Sequence, residues 1–231
     1  MNAGYPFKRP RTLFPLIRQV SARTSPYLAR LPLSANHVTA ISLITVIAAC
    51  WCLAQGGYGW TMAGAALFTL FYVLDNCDGE IARYKDQSSE FGYKFDTFVD
   101  WVGHALFFSA LGLGVARETG NDIWLWLGLL GGAGATINYF VAIWLDARLA
   151  ARPGGGFDST GRGKIEDPDI PDNWKQWLIF AFRELTRADF CFIVLVLAIW
   201  GWAWVLLPTA AVGAHAYWIT QFASGARDYQ A

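Results

Sequence analysis

Six stretches, at 35–54, 59–82, 91–116, 122–145, 188–204 and 205–222, are almost wholly apolar over about 20 residues each, and they limit the fold more than any other feature. A helix rising roughly 1.5 Å per residue crosses the ~30 Å hydrocarbon core of a bilayer in about that length. Within hydrocarbon every backbone N–H and C=O has to be bonded by the chain itself, and a helix does this from its own residues. With 55% of 231 residues hydrophobic and a mean hydropathy of +0.30, one soluble core could not hide this much apolar surface. The expected fold is all-α, a polytopic integral membrane protein of six transmembrane helices.

The connectors alternate in character. QGGYG, RETGN and GWAW are brief, whereas the others are basic, and every Lys and Arg except Arg117 lies in or beside the basic ones. Cations are retained on the cytosolic side, so both termini are expected in the cytosol, the membrane being a bacterial inner membrane. Ahead of the first span, LFPLIRQVSARTSPYLARL puts Leu13, Leu16, Ile17, Val20, Leu28 and Leu31 near helical spacing, interleaved with Arg18, Arg23 and Arg30. That suits an N-terminal cytosolic amphipathic helix in the interface, its arginines at anionic headgroups; a topology-setting basic tail would carry the same charges.

The expected organisation is a cytosolic basic arm with this helix at 1–34, a six-helix transmembrane domain at 35–225 with a cytosolic loop at about 148–175, and a tail at 226–231. Residues 153–172 read as a flexible loop, and their glycines neither follow a strand nor precede G-K-[ST], so they are not a phosphate loop. Cys50, Cys52, Cys77 and Cys191 lack metal-like pairing and read as small apolar residues. No cleavable signal peptide is expected, because the first apolar run follows a long basic stretch. With 18 Lys and Arg against 18 Asp and Glu, net charge argues neither for nor against nucleic acid, and no nucleic-acid partner is expected.

Against this background the stretch LDNCDGEIARYKDQSSEFGYKFDTFVD, residues 74–100, is anomalous. An ionised carboxylate at membrane depth costs several kcal/mol unless paired or bound to a cation. Asp75 and Asp78 are three apart and share a helix face, and so do Asp96 and Asp100, four apart. Two successive antiparallel helices would aim the pairs at one point, where the four could not all carry charge without cations between them. Oxygen donors without His or Cys select magnesium, calcium or manganese, and four carboxylates suit two ions able also to hold a phosphate.

From Asp75 the pattern reads D-x2-D-G-x2-A-R-x8-G-x3-D-x3-D, with Gly79, Ala82, Arg83 and Gly92 at the intervening places. In this it resembles the CDP-alcohol phosphotransferase (phosphatidyltransferase) family, whose motif it meets at every specified position. SANHVTAIS resembles that family's P-N-x-x-T opening of the first span, with Ala35 in place of the proline. The resemblance implies a membrane transferase of phospholipid biosynthesis using two magnesium or manganese ions. A CDP-linked donor presents its diphosphate, an acceptor hydroxyl attacks the distal phosphorus, and CMP leaves. It further implies that Asp75, Asp78, Asp96 and Asp100 hold metal, with Asp100 also the general base, and that Asn36, Thr39, Gly79, Ala82, Arg83, Ser89 and Gly92 meet the nucleotide end of the donor. Beside these roles stand plainer ones: tight helix packing for Gly79 and Ala82, a positive-inside flank for Arg83, helix starts at Ser34, Asn36 and Ser89.

The acceptor side is less determined. Arg183 and Arg187, four apart on a helix, could grip one phosphate, with Lys94 assisting; they equally suit lipid headgroups or pairing with Glu184 and Asp189. The reading is CDP-diacylglycerol with a soluble alcohol or alcohol phosphate, such as glycerol phosphate or inositol phosphate, and the alternative is a soluble CDP-alcohol with a lipid acceptor. A transporter or ion pathway would also explain intramembrane acids, but it leaves Arg83 and the glycines unexplained. His104, four residues past Asp100, either orients that acid, touches substrate or is a satisfied buried histidine. Gly128, Gly131, Gly132 and Gly134 permit close helix contacts within a chain or between the chains of a homodimer.

Overall fold

The computed structural model describes residues 7, 13–150 and 173–227, though not the side chains at 149, 150, 175, 179, 182, 183, 186, 187, 217, 220, 221 and 223–227. The described residues form helices and no strand. They are α1 (Leu16–Ala29), α2 (Ala35–Gln55), α3 (Tyr58–Tyr84), α4 (Glu90–Thr119), α5 (Ile123–Ala150), α6 (Trp174–Arg187), α7 (Phe190–Ile199) and α8 (Leu206–Arg227), with a 3-10 turn at Ala203–Val205 before the last.

Local chemistry sets the boundaries. Ser34 and His37 form a reciprocal cap on α2: the Ser34 hydroxyl accepts from the His37 amide at 3.3 Å, and His37 Nδ1 accepts from the Ser34 amide at 3.1 Å. Ser89 caps α4 by accepting from the Gly92 amide at 3.0 Å. Between α3 and α4 the chain reverses through Asp86, at φ 55°, a left-handed conformation that Asp tolerates better than most residues. Arg117, at the opposite end from the Asp86 reversal, donates to the Ala54 carbonyl at 2.6 Å and so satisfies the C-terminus of α2.

Among the described residues three helices, Ala35–Gln55, Glu90–Thr119 and Ile123–Arg148, are long and apolar enough to cross a membrane, and Phe190–Ile199 and Ala203–Ala216 are shorter apolar helices. The expected fifth span at 188–204 is broken: α7 covers ten residues, preceded by a bend at Asp189 and followed by Gly201 at φ 70°. The outward faces are apolar, with Ile44 and Trp51 of α2, Trp126 and Phe140 of α5 and Val212 of α8 all exposed. Ser21, Ser25, Ser42, Asp78, Glu80 and Asp189 are buried. Apolar outside with polar groups inside is the distribution a lipid solvent requires, and the protein is an integral membrane protein.

α2 is the wedge of the bundle. It packs along both α3 and α4, while α5 covers the far side of α4, α8 covers α5, and α1 and α7 lie on α3. The approaches are backbone to backbone: a Cβ on Gly114 would sit 2.0 Å from the Leu53 carbonyl oxygen, and one on Gly128 would sit 2.4 Å from that of Phe108. The α5 glycines are used within the chain, Gly128 and Gly132 against α4, Gly131 against α4 and α8, Gly134 against α8.

α1 is tied to the bundle by polar contacts. Its first amides, of Leu16 and Ile17, each donate to the buried Asp189 carboxylate at 2.7 Å, an anion at a helix N-terminus supplied from the far end of the sequence. Ser21 donates to Glu80 of α3 at 2.8 Å, and Lys85 donates to the carbonyls of Leu31 and Leu33 at 3.0 and 2.6 Å. Asp189 is thereby committed to α1. The connector expected at 148–175 lies almost wholly outside the described residues.

Candidate active site

α3 and α4 run antiparallel, each seated on α2, so their acidic turns meet at the end of the bundle that carries the Asp86 reversal. Asp75 makes side-chain contact with both Asp96 and Asp100, and Asp78 faces Asp96. Carboxylates of α3 and α4 therefore lie close to one another. Asp78 is buried at 4% exposure, and Thr39 of α2 donates a short hydrogen bond to its Oδ2.

Among the described residues no three His, Cys, Asp or Glu side chains form a ready-made ligand shell for one ion; the acids contact one another instead. Two of their oxygens, Asp75 Oδ1 and Asp96 Oδ1, are buried without a hydrogen-bond partner. Oxygens left bare in a cluster of carboxylates, with no nitrogen or sulfur donor among them, fit a hard divalent cation.

Beside the acids lies a pocket of about 120 Å³. Its walls include Asn36, Thr39, Gly79, Ala82, Arg83, Ser89 and Gly92, every residue expected on the nucleotide side, together with Asp78 and Asp96. The small residues shape it. A Cβ on Gly92 would meet Asn36 Oδ1 and Ser89 Oγ, each at 3.2 Å, and one on Gly79 would meet the Arg83 guanidinium at 3.3 Å. Arg83 thus lies across Gly79, and its charge acts on Asp96. A larger cavity of about 290 Å³, lined among others by Tyr58, Glu118, Trp124 and Trp204, contains none of the expected residues.

The structure adds residues to the pocket that the motif does not specify. Gln87 accepts from the Ala35 amide at 3.0 Å, joining the α3–α4 turn to the start of α2, and Ser88 and Tyr93 complete the lining. Tyr93 donates to Asp146 of α5 at 2.8 Å, which anchors that wall. An aromatic residue directly after Gly92 was the only available signal for Tyr93. Lys94 is not brought to the site: it is exposed and paired with Glu90 at 2.6 Å. Arg183 and Arg187 fall in α6 with side chains outside the described residues. His104 touches the backbone carbonyl of Asp100 at 2.8 Å rather than its carboxylate. His37 serves as a cap, and His215 bonds Leu130 O and Trp218.

Carboxylates from two helices beside a pocket lined by small residues and an arginine make a site suited to a phosphate-bearing ligand. The chain belongs to the CDP-alcohol phosphatidyltransferase family, whose model matches residues 33–216. It is also similar to the bifunctional IPC transferase and DIPP synthase of Rubrobacter xylanophilus, with 36% identity over 87 residues. That match takes in 38% of this chain and 19% of the relative, so the two share about one segment. The family that this model describes is one of transferases of substituted phosphate groups.

Proposed function

We propose that the protein transfers the phosphatidyl group of CDP-diacylglycerol to a soluble alcohol or alcohol phosphate, such as glycerol phosphate or inositol phosphate, with release of CMP. The observation that carries this is the single pocket in which all seven nucleotide-side residues adjoin Asp78 and Asp96. Six spans, counting the interrupted α6–α7 region and α8, would put this pocket on the cytosolic side of a bacterial inner membrane, with α1 in the interface of the 1–34 arm, the catalytic domain at 35–225 and a short cytosolic tail. The positive-inside distribution supports that orientation. Membrane lipids, and a second copy of the chain, are the proposed partners besides donor and acceptor.

In this reading Gly79 and Ala82 leave room for the cytosine and ribose, while Asn36, Ser89 and Arg83 hold the ribose and diphosphate, Arg83 through its fork of donors. Asp75, Asp78, Asp96 and Asp100 would hold two magnesium or manganese ions, which neutralise phosphate charge and polarise the reacting oxygens. Thr39 orients Asp78. Asp100 takes the proton from the acceptor hydroxyl as its oxygen bonds to the distal phosphorus. The bond from that phosphorus to the CMP oxygen breaks, and CMP departs with the electron pair.

The test is CMP release by detergent-solubilised protein with magnesium, supplied with CDP-diacylglycerol and each candidate acceptor in turn. CMP formed only with a soluble CDP-alcohol and diacylglycerol would replace this reading by the alternative donor class, and no CMP with any pair would end the proposal. A companion prediction concerns Thr39→Val, which keeps the branched shape and removes the donor to Asp78. It is expected to slow CMP release about 10-fold, corresponding to roughly 1.4 kcal/mol, with little change in the thermal midpoint.

A further inference from the structure

We infer that Tyr72 and His104 are positioning residues, a hydrogen-bonded tie that sets the separation of Asp75 and Asp100. Tyr72 lies three residues before Asp75 in α3, and His104 four after Asp100 in α4. The pair therefore sits about one helical turn, ~5.4 Å, further into the bundle than those acids. Tyr72 Oη and His104 Nε2 are 2.8 Å apart. His104 Nδ1 is 2.8 Å from the Asp100 carbonyl oxygen, which can only accept, so Nδ1 carries the proton. In the neutral ring Nε2 is then the acceptor and the Tyr72 hydroxyl the donor.

Packing alone does not call for this pair. Its surroundings are aromatic: the Phe68 ring lies 5.1 Å from that of Tyr72 and 6.5 Å from that of His104, and it stacks on Phe107 at 4.2 Å. An apolar pair of similar volume would fill the same space at no loss. The distinctive circumstance is that α3 and α4 pack on α2 rather than along each other. Near this depth they meet through side chains: the Phe68–Phe107 stack, Phe71 against Gly103, and the Tyr72–His104 bond. Ring contacts are weakly directional, whereas a hydrogen bond is confined to a window of about half an ångström and weakens steeply as its angle falls below about 120°. The tie thus fixes the interval between helices just below the point where their carboxylates must share ligands and reach an acceptor, and a misplacement of about 1 Å there can cost on the order of 100-fold in rate.

This inference rests on the carboxylate site proposed above, so its test needs a readout besides turnover. Mn2+ binding by substrate-free, detergent-solubilised protein is measured by electron paramagnetic resonance alongside kcat and donor KM from CMP release. Tyr72→Phe is expected to weaken Mn2+ binding several-fold and to lower kcat by about 10-fold, leaving donor KM within about two-fold. His104→Ala should match it, and the double variant should be no worse than either single one. His104→Gln, whose side-chain carbonyl can accept from Tyr72, should recover most of the loss. Unchanged Mn2+ binding and kcat in Tyr72→Phe, additive losses in the double variant, or losses matched only by a lower thermal midpoint would each overturn the tie. A wild-type protein that neither binds Mn2+ nor releases CMP would overturn the site reading and the tie with it.

Discussion

Asp100→Asn is expected to reduce CMP release by at least about 10³-fold while the protein remains folded. Positioned general bases are worth about 10²–10⁴-fold, and this carboxylate is also one of the four proposed cation ligands, so both contributions fall together. Asn has nearly the same shape, and it can still meet Asp75, with which Asp100 is in side-chain contact. Removing one charge from a crowded acid cluster relieves repulsion in the empty site, so the thermal midpoint should hold or rise slightly. Loss of activity with retained or improved stability separates a functional acid from a structural one. Initial rates and thermal midpoints of the same preparation decide it, and near wild-type turnover would remove Asp100 from the base role.

The second large effect is structural. Gly114→Val is expected to prevent accumulation of folded protein, a loss of more than about 4 kcal/mol. The first added carbon would sit 2.0 Å from the Leu53 carbonyl oxygen, a backbone atom that cannot swing aside. Gly56 meets Gly114 from the other side, where a Cβ would lie 2.5 Å from the Gly114 carbonyl oxygen at a residue already at φ 75°. Separating α2 from α4 there removes the wedge on which both acid-bearing helices rest. Gly213→Ala is the control: nothing lies within 4 Å of its added carbon, and Ala is the better helix former by up to about 1 kcal/mol. Folded yield by size-exclusion chromatography should fall close to zero for the first and stay at wild-type level for the second.

The acidic site was legible before any coordinates because its information is local. Spacings of three and four residues convert directly into shared helix faces, and the α3–α4 reversal is short enough that the two pairs have to meet. The pocket lining was expected from the family resemblance rather than from spacing, and it did not include Ala35, Gln87, Ser88 and Tyr93, whose presence depends on how the turn folds back against α2. Contacts distant in sequence were not legible. No spacing rule links Leu16 and Ile17 to Asp189, across 173 and 172 positions, and Asp189 read instead as a pairing partner for Arg183 and Arg187. The fifth span was drawn through Trp204, whereas α7 ends at Ile199 and the chain turns at Gly201, φ 70°, a turn that the apolar residues around it hide. The open question of the α5 glycines needed the neighbouring backbones of α4 and α8, which periodicity in α5 alone does not contain.

The attachment of α1 to Asp189 bears on the order in which this protein can be assembled. The ribosome produces α1 ahead of every other helix described, but the carboxylate that receives its first amides arrives more than 170 residues later. Through most of synthesis those amides must be satisfied by water or headgroups while α2, α3, α4 and α5 are inserted. The Ser21–Glu80 contact becomes available once α3 is made, so α1 can rest on the bundle early and be latched late. Closure of the N-terminal helix is thus a report that α7 has been delivered, and a nascent chain stalled before α7 would carry its carboxylates with that latch still open.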